Sequence, residues 1–179
     1  MGGRRLKMQK GSLIRPTADR VKEAVFGILG TEVEAGWVLD LCAGTGALGL
    51  EALSRGARFA VFVDKHPRAC RLVAENLREL GLADRGEIRC QELRQALVAL
   101  AKEELIFDLL FLDPPYGQGM IGSGVEKISE VGLVRPGGVV VAEASRHEVV
   151  SWPPDFACQR TERYGETVVY FLRQRGDLQ

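Results

Sequence analysis

The 179-residue chain carries 24 basic and 24 acidic side chains, so its zero net charge supplies no bulk attraction to nucleic acid or to a membrane surface. No apolar run reaches the roughly 18 residues of a membrane span, and the opening MGGRRLKMQK lacks the apolar stretch of a secretory signal. Four scattered cysteines (Cys42, Cys70, Cys90, Cys158) with no C-x-x-C pair argue against a zinc site or a disulfide framework and predict reduced, mostly buried thiols in the cytoplasm.

The charge is unevenly placed. Residues 1–20 hold six basic side chains (Arg4, Arg5, Lys7, Lys10, Arg15, Arg20) against Asp19 alone, which leaves the remaining 159 residues with a net −5. A basic arm on a mildly acidic body suits contact with phosphates, and a solvated leader would read the same way. The expected division is an arm over 1–16 and a single domain over 17–179.

Along the chain, RPTADRVKEAVFGILG predicts a helix with Thr17 as N-cap, an apolar stripe of Val21, Ala24, Val25, Ile28 and Leu29, and Gly30 as its stop. WVLDL (37–41) reads as a strand ending in glycines, followed by a helix near 47–55. FAVFVD (59–64) is a strand, and PRACRLVAENLREL (67–80) a helix with Pro67 in its first turn and Gly81 after its end. EIRC (87–90) is a strand and ELRQALVALAKE (92–103) a helix. FDLLFLD (107–113) lacks alternation and so predicts a strand buried on both faces. A helix near 123–133 precedes a strand at PGGVVVAEA, and FACQRTERY with ETVVYFLRQ form a hairpin about Gly165.

Strands alternating with helices predict a seven-stranded, mostly parallel Rossmann-like sheet with helices on both faces and a C-terminal antiparallel hairpin. In such sheets ligands sit outside the carboxyl ends of the strands, and Asp40, Asp64, Cys90/Gln91 and Asp113 all fall there. DLCAGTGALGLE, between a strand and a helix, fits G-x-G-x-x-G through Gly44, Gly46 and Gly49. Asp64 follows Gly44 by 20 residues, where an acid can accept both ribose hydroxyls. The spacing alone serves a dinucleotide equally well. However, a carboxylate at Asp40 suits the amino group of a methionyl moiety and repels a pyrophosphate, and one sheet leaves no second half for a dehydrogenase substrate. The loop is therefore similar to the S-adenosylmethionine-binding loop of seven-stranded methyltransferases.

FLDPPYG (111–117) ends a buried strand on a carboxylate, two prolines and an aromatic ring. An exocyclic amine on a base is a poor nucleophile, because its lone pair is delocalised into the ring. The Asp113 carboxylate and the Pro114 carbonyl could accept its N–H groups and aim the lone pair, with Pro115 fixing the backbone. Tyr116 could stack on the base, worth about 1–3 kcal/mol. DPPY resembles the (D/N)PP(Y/F) motif of amino-methyltransferases acting on adenine N6, cytosine N4, guanine N2 or glutamine.

Taken together, RPTADRVKEAVFGIL, VLDLCAGTGALGLEALSRGA, FVDKHPRA, DPPY and the RYGET before the last strand resemble the bacterial 16S rRNA (guanine-N2) methyltransferases of the RsmD type, from about Arg15 to Tyr170. The resemblance implies methyl transfer from S-adenosylmethionine to a guanine N2 of 16S rRNA in a partly or fully assembled small ribosomal subunit. By it, Asp40, Ala43, Gly44, Thr45 and Gly46 hold the methionine end of the cofactor. Asp64 and Lys65 hold the ribose side, Gln91 lies near the adenine, and Asp113 lies beside the methyl. Arg15 to Thr17 would close over the cofactor, and Arg4, Arg5, Lys7, Lys10 and Arg15 would meet RNA. Two departures stand out. The chain starts almost at the glycine pair Gly2-Gly3, which shortens the family's N-terminal hairpin, and Cys42 replaces a common phenylalanine as a core change.

His66 and His147 are expected at the surface, Trp37 and Trp152 in packing roles, and Glu143, which could face the site, is read first as a plain strand-end acid. No metal and no membrane contact is expected. An amino-methyltransferase of another target would need a recognition insert for which the chain has no room, and a non-catalytic RNA-binding assembly factor would have no use for Asp113-Pro-Pro-Tyr116.

Overall fold

The computed structural model describes residues 16–115, 117 and 119–176. The basic arm (Arg4, Arg5, Lys7, Lys10, Arg15) and Tyr116 lie outside the described residues.

The elements run α1 (Pro16–Leu29), β1 (Trp37–Leu41), α2 (Ala47–Ser54), β2 (Phe59–Asp64), α3 (Pro67–Glu79), β3 (Gly86–Cys90), α4 (Leu93–Lys102), β4 (Phe107–Leu112), α5 (Met120–Val131), β5 (Val134–Ser145), β6 (Phe156–Tyr164) and β7 (Thr167–Gln174). The seven strands form one sheet in the order β3-β2-β1-β4-β5-β7-β6. β1 to β5 pair in parallel, while β7 runs antiparallel between β5 and β6.

Neighbouring residues of each central strand serve opposite faces, as the pleat requires. Val38, Phe62, Leu109 and Phe111 pack with residues of α1, α2 and α3 on one side. Leu39, Val61, Leu110 and Leu112 pack with residues of α4 and α5 on the other. Both faces are covered, which is why β4 shows no polar alternation.

Local chemistry explains where the boundaries differ from expectation. α1 already includes Pro16, so Thr17 lies inside its first turn and is not its N-cap. Proline's fixed φ and missing N–H suit that turn. α5 begins at Met120, three residues earlier than expected, after Gly119 in a left-handed conformation (φ 62). Its glycines look like loop residues in the sequence, but a Cβ on Gly124 would come within 2.9 Å of Leu112, so glycine lets α5 close onto β4.

The thiols depart from expectation as well. All four cysteines are free, but Cys70 alone is buried, Cys42 is half-buried, and Cys90 and Cys158 are exposed. Cys90 is exposed because it ends β3, an edge strand. His66 and His147 are exposed as expected. Trp37 packs on Phe59 and Trp152 on Tyr170 at the margins of the second core. No helix among the described residues is long and apolar enough to cross a membrane.

Candidate active site

The strand order reverses between β1 and β4, and there the loops after β1 and β4 diverge and leave a crevice. A cavity of about 890 Å³ occupies it. Asp64, Lys65 and Gln91 line it from the ends of β2 and β3, and Asp113, Pro114 and Pro115 from the end of β4. The two halves of the expected chemistry, a ribose-type acid and the proline-stiffened carboxylate, therefore share one chamber.

The glycine loop is built around two carboxylates. Asp64 Oδ2 accepts a hydrogen bond from the Gly44 N–H at 2.9 Å, and Asp64 Oδ1 accepts from the His66 N–H at 2.9 Å. Asp40 is 2 % exposed, and its Oδ2 accepts from the Gly49 N–H, in the first turn of α2, at 3.0 Å. Burial pushes Asp40 up to about 7; the bond from Gly49 opposes that rise and the charge of Asp64 adds to it. Asp40, Ala43, Gly44, Thr45 and Gly46 are not on the cavity wall. The loop reaches the cavity directly at Cys42 and is tied to its wall by Gly44's bond to Asp64.

Gly49 has a packing reason of its own. A Cβ there would lie 2.4 Å from Cε1 of the fully buried Phe62 ring, so the third glycine of the motif lets α2 settle against β2. Gly44 is different: its backbone is left-handed (φ 58), and an added Cβ would meet nothing within 4 Å. The space beside it is open, as a backbone that approaches a ligand requires. Thr45 is held from below, because the buried Asn76 of α3 donates from Nδ2 to the Thr45 carbonyl at 3.1 Å.

Asp113 is reached by solvent from the cavity but crowded by protein behind it. That enclosure raises its carboxyl well above the ordinary carboxylate range, and the charges of Glu143 and Asp40 push the same way. Pro114 is buried and Pro115 exposed, which fixes the turn between wall and solvent. The segment that follows is tied back where the Gly117 N–H donates to Glu148 Oε1 at 2.7 Å.

The structure also brings to the cavity residues that the sequence reading left out or misjudged. α1 contributes Ala18 and Val21, immediately after the RPT segment. The turn Tyr164–Thr167 lines the cavity as well, so the RYGET string was a usable signal for it. Cys42 is not a core substitution: it is half-buried on the cavity wall in a left-handed conformation (φ 61). Burial, with the charges of Asp64, Asp113 and Asp40 behind it, pushes its thiol up to about 12. Glu143 is a wall residue beside Asp113 and not merely a strand-end acid. Among the described residues, no three or more His, Cys, Asp or Glu side chains are grouped to hold a metal ion.

Known proteins are similar to this chain in sequence and in fold. A family model described as "Conserved hypothetical protein 95" matches residues 1–173. "Putative rRNA methyltransferase YlbH" of Bacillus subtilis is 39% identical over 175 residues, covering 97% of this chain and 95% of the relative. "Ribosomal RNA small subunit methyltransferase D" of Escherichia coli K12 is 28% identical over 174 residues, covering 97% and 85% respectively. A solved structure, "Putative methyltransferase yhhF from Escherichia coli", superposes with a TM-score of 0.85 at 26% identity, covering 97% of this chain and 93% of the other. With nearly the whole length matched by both family model and relatives, the chain belongs to this family, the RsmD-type rRNA methyltransferases.

Proposed function

We propose that the protein transfers the methyl group of S-adenosylmethionine to the exocyclic N2 of a guanine in 16S rRNA, acting on a partly or fully assembled small ribosomal subunit in the cytoplasm. The observation that carries the reading is the shared chamber, in which Asp64 and Asp113-Pro114-Pro115 face one volume of about 890 Å³. That is large enough for a nucleoside-sized cofactor beside a flipped base.

The residues fit the cofactor. Asp64, already oriented by the Gly44 and His66 amides, would take the ribose hydroxyls, with Lys65 beside it and the Gln91 amide toward the adenine. The open backbone at Gly44, with Ala43, Thr45 and Gly46, would meet the methionine end. Asp40 would offer its second carboxylate oxygen to the ammonium group. When bound, the cofactor supplies an electrophilic methyl on a sulfonium.

The chain's own part is positioning and proton handling. The Asp113 carboxylate and the Pro114 carbonyl accept the two N–H groups of the amine and turn its lone pair toward the methyl. After transfer the amine sheds one proton, and a carboxylate held above its ordinary range is a competent acceptor. Tyr116 would stack on the base. Arg4, Arg5, Lys7, Lys10 and Arg15 would contact rRNA phosphates, and Arg15 to Thr17 would close over the cofactor.

The test is nucleoside analysis of small subunits, and separately of naked 16S rRNA, both from a strain lacking this activity, after incubation with the protein and S-adenosylmethionine. N2-methylguanosine appearing in the subunits supports the reading. N6-methyladenosine would move the target to another amine, and methylation of naked RNA alone would remove the assembled substrate.

A further inference from the structure

Beside Asp113 stands a second carboxylate that the scheme above does not use. Leu112 of β4 pairs with Ala142 of β5, so Asp113 and Glu143 occupy the next positions on adjacent parallel strands, whose backbones run about 4.8 Å apart. Both side chains line the same cavity. The charge of Glu143 acts on Asp113 more strongly than that of Asp40 does. Two adjacent carboxylates repel one another unless hydrogen-bond donors come between them.

The edge of guanine supplies such donors. Its N2 amine lies next to a ring N1–H, so the edge offers donors at two adjacent atoms. Adenine and cytosine place their amine next to a ring nitrogen that carries a lone pair. Once those donors lie between the two carboxylates both can ionise, and in that state each only accepts, which complements guanine and opposes a lone pair beside the amine.

We infer that Glu143 is the specificity-determining residue of this site: its carboxylate accepts the N1–H of the flipped guanine while Asp113 and the Pro114 carbonyl hold the N2 amine. The inference rests on the guanine-N2 reading above and supplies the physical basis for its choice of base. An adenine in the same place would direct its N1 lone pair at Glu143.

The test replaces the target guanine, once mapped, with 2-aminopurine by splinted ligation into 16S rRNA, which is then assembled into subunits. This base keeps the amine at N2 but carries a lone pair at N1. The wild-type protein should prefer guanine by about 10–100-fold in kcat/KM, the worth of one hydrogen bond to a charged group. In Glu143→Gln, whose amide can donate to N1, the preference should narrow to within about 3-fold, with affinity for S-adenosylhomocysteine unchanged. A residue that only supported the fold would lower both substrates by the same factor, and that result overturns the inference. So does a wild-type protein that uses both bases equally, a result that needs no variant. Glu143→Ala repeats the comparison where the glutamine variant loses cofactor binding. If guanine is methylated at N2 and the preference survives both substitutions, this inference fails alone. If the wild-type product is not N2-methylguanosine, the guanine reading fails and this inference falls with it.

Discussion

Asp40→Asn should make the protein more stable at neutral pH while weakening its grip on the cofactor. Asp40 is 2 % exposed and is held up to about 7 against an ordinary value of 3.8. The gap of roughly 3 pH units corresponds to about 4 kcal/mol against the ionised form in the fold. Below about pH 4 the carboxyl is protonated in folded and unfolded chains alike, and nothing is lost. From about pH 4 to about pH 7 the unfolded chain ionises first, so stability falls as pH rises, and above about pH 7 the loss is complete. The asparagine is neutral throughout, and its carbonyl can still accept from the Gly49 N–H. Burying its amide gives back roughly 1–3 kcal/mol. The unfolding free energy of the variant relative to wild type should therefore move in the variant's favour by about 2–3 kcal/mol between about pH 5 and about pH 8. Urea titrations of both proteins across that range, without cofactor, measure it directly. A stability difference that stays constant with pH would refute the reasoning, because it would mean that Asp40 titrates normally in the fold. The same substitution removes the charge proposed to meet the cofactor ammonium, so calorimetry should find S-adenosylmethionine bound more weakly despite the firmer fold.

Gly49→Ala drives a Cβ to within 2.4 Å of Phe62 and should cost about 1–3 kcal/mol in thermal or urea unfolding; pairing it with Phe62→Leu should recover part of the loss. Asn76→Ala frees the Thr45 carbonyl, costs about 1–3 kcal/mol, and should weaken cofactor binding by loosening the glycine loop. Because Asp113 sits well above the ordinary carboxylate range, kcat/KM should fall on acidification at a higher pH than an ordinary carboxylate would give. Activity should fall but persist in Asp113→Asn, whose side-chain carbonyl still accepts an N–H of the amine, with cofactor binding kept.

Much of the fold follows from local pattern. β1, β2, β6 and β7 run very nearly where the apolar runs and the glycine turns place them, because each strand is bounded by a residue that ends it. The glycine loop and DPPY were legible because their chemistry is contiguous in the chain. Glu143 was legible only as a strand-end acid that could face the site, because the pairing of Leu112 with Ala142 that brings it beside Asp113 is written in neither strand alone. Asn76 was hidden for a similar reason. On a helix rich in charged side chains a lone amide reads as solvent-facing, and its burial under Thr45 depends on how α3 packs against a loop 31 residues earlier. The start of α5 was misplaced because Gly119 and Gly122 look like loop residues, although the helix runs from Met120.

The central claim is amine methylation in the chamber where Asp64 and Asp113 meet. It is tested most directly by transfer of labelled methyl from S-adenosylmethionine to unmethylated small subunits by the wild-type protein and by Asp113→Ala, with S-adenosylhomocysteine affinity measured for both. The account expects label in N2-methylguanosine with wild type and none with the variant, at equal affinity. Undiminished transfer by Asp113→Ala, or label on any group other than an amine, would contradict it.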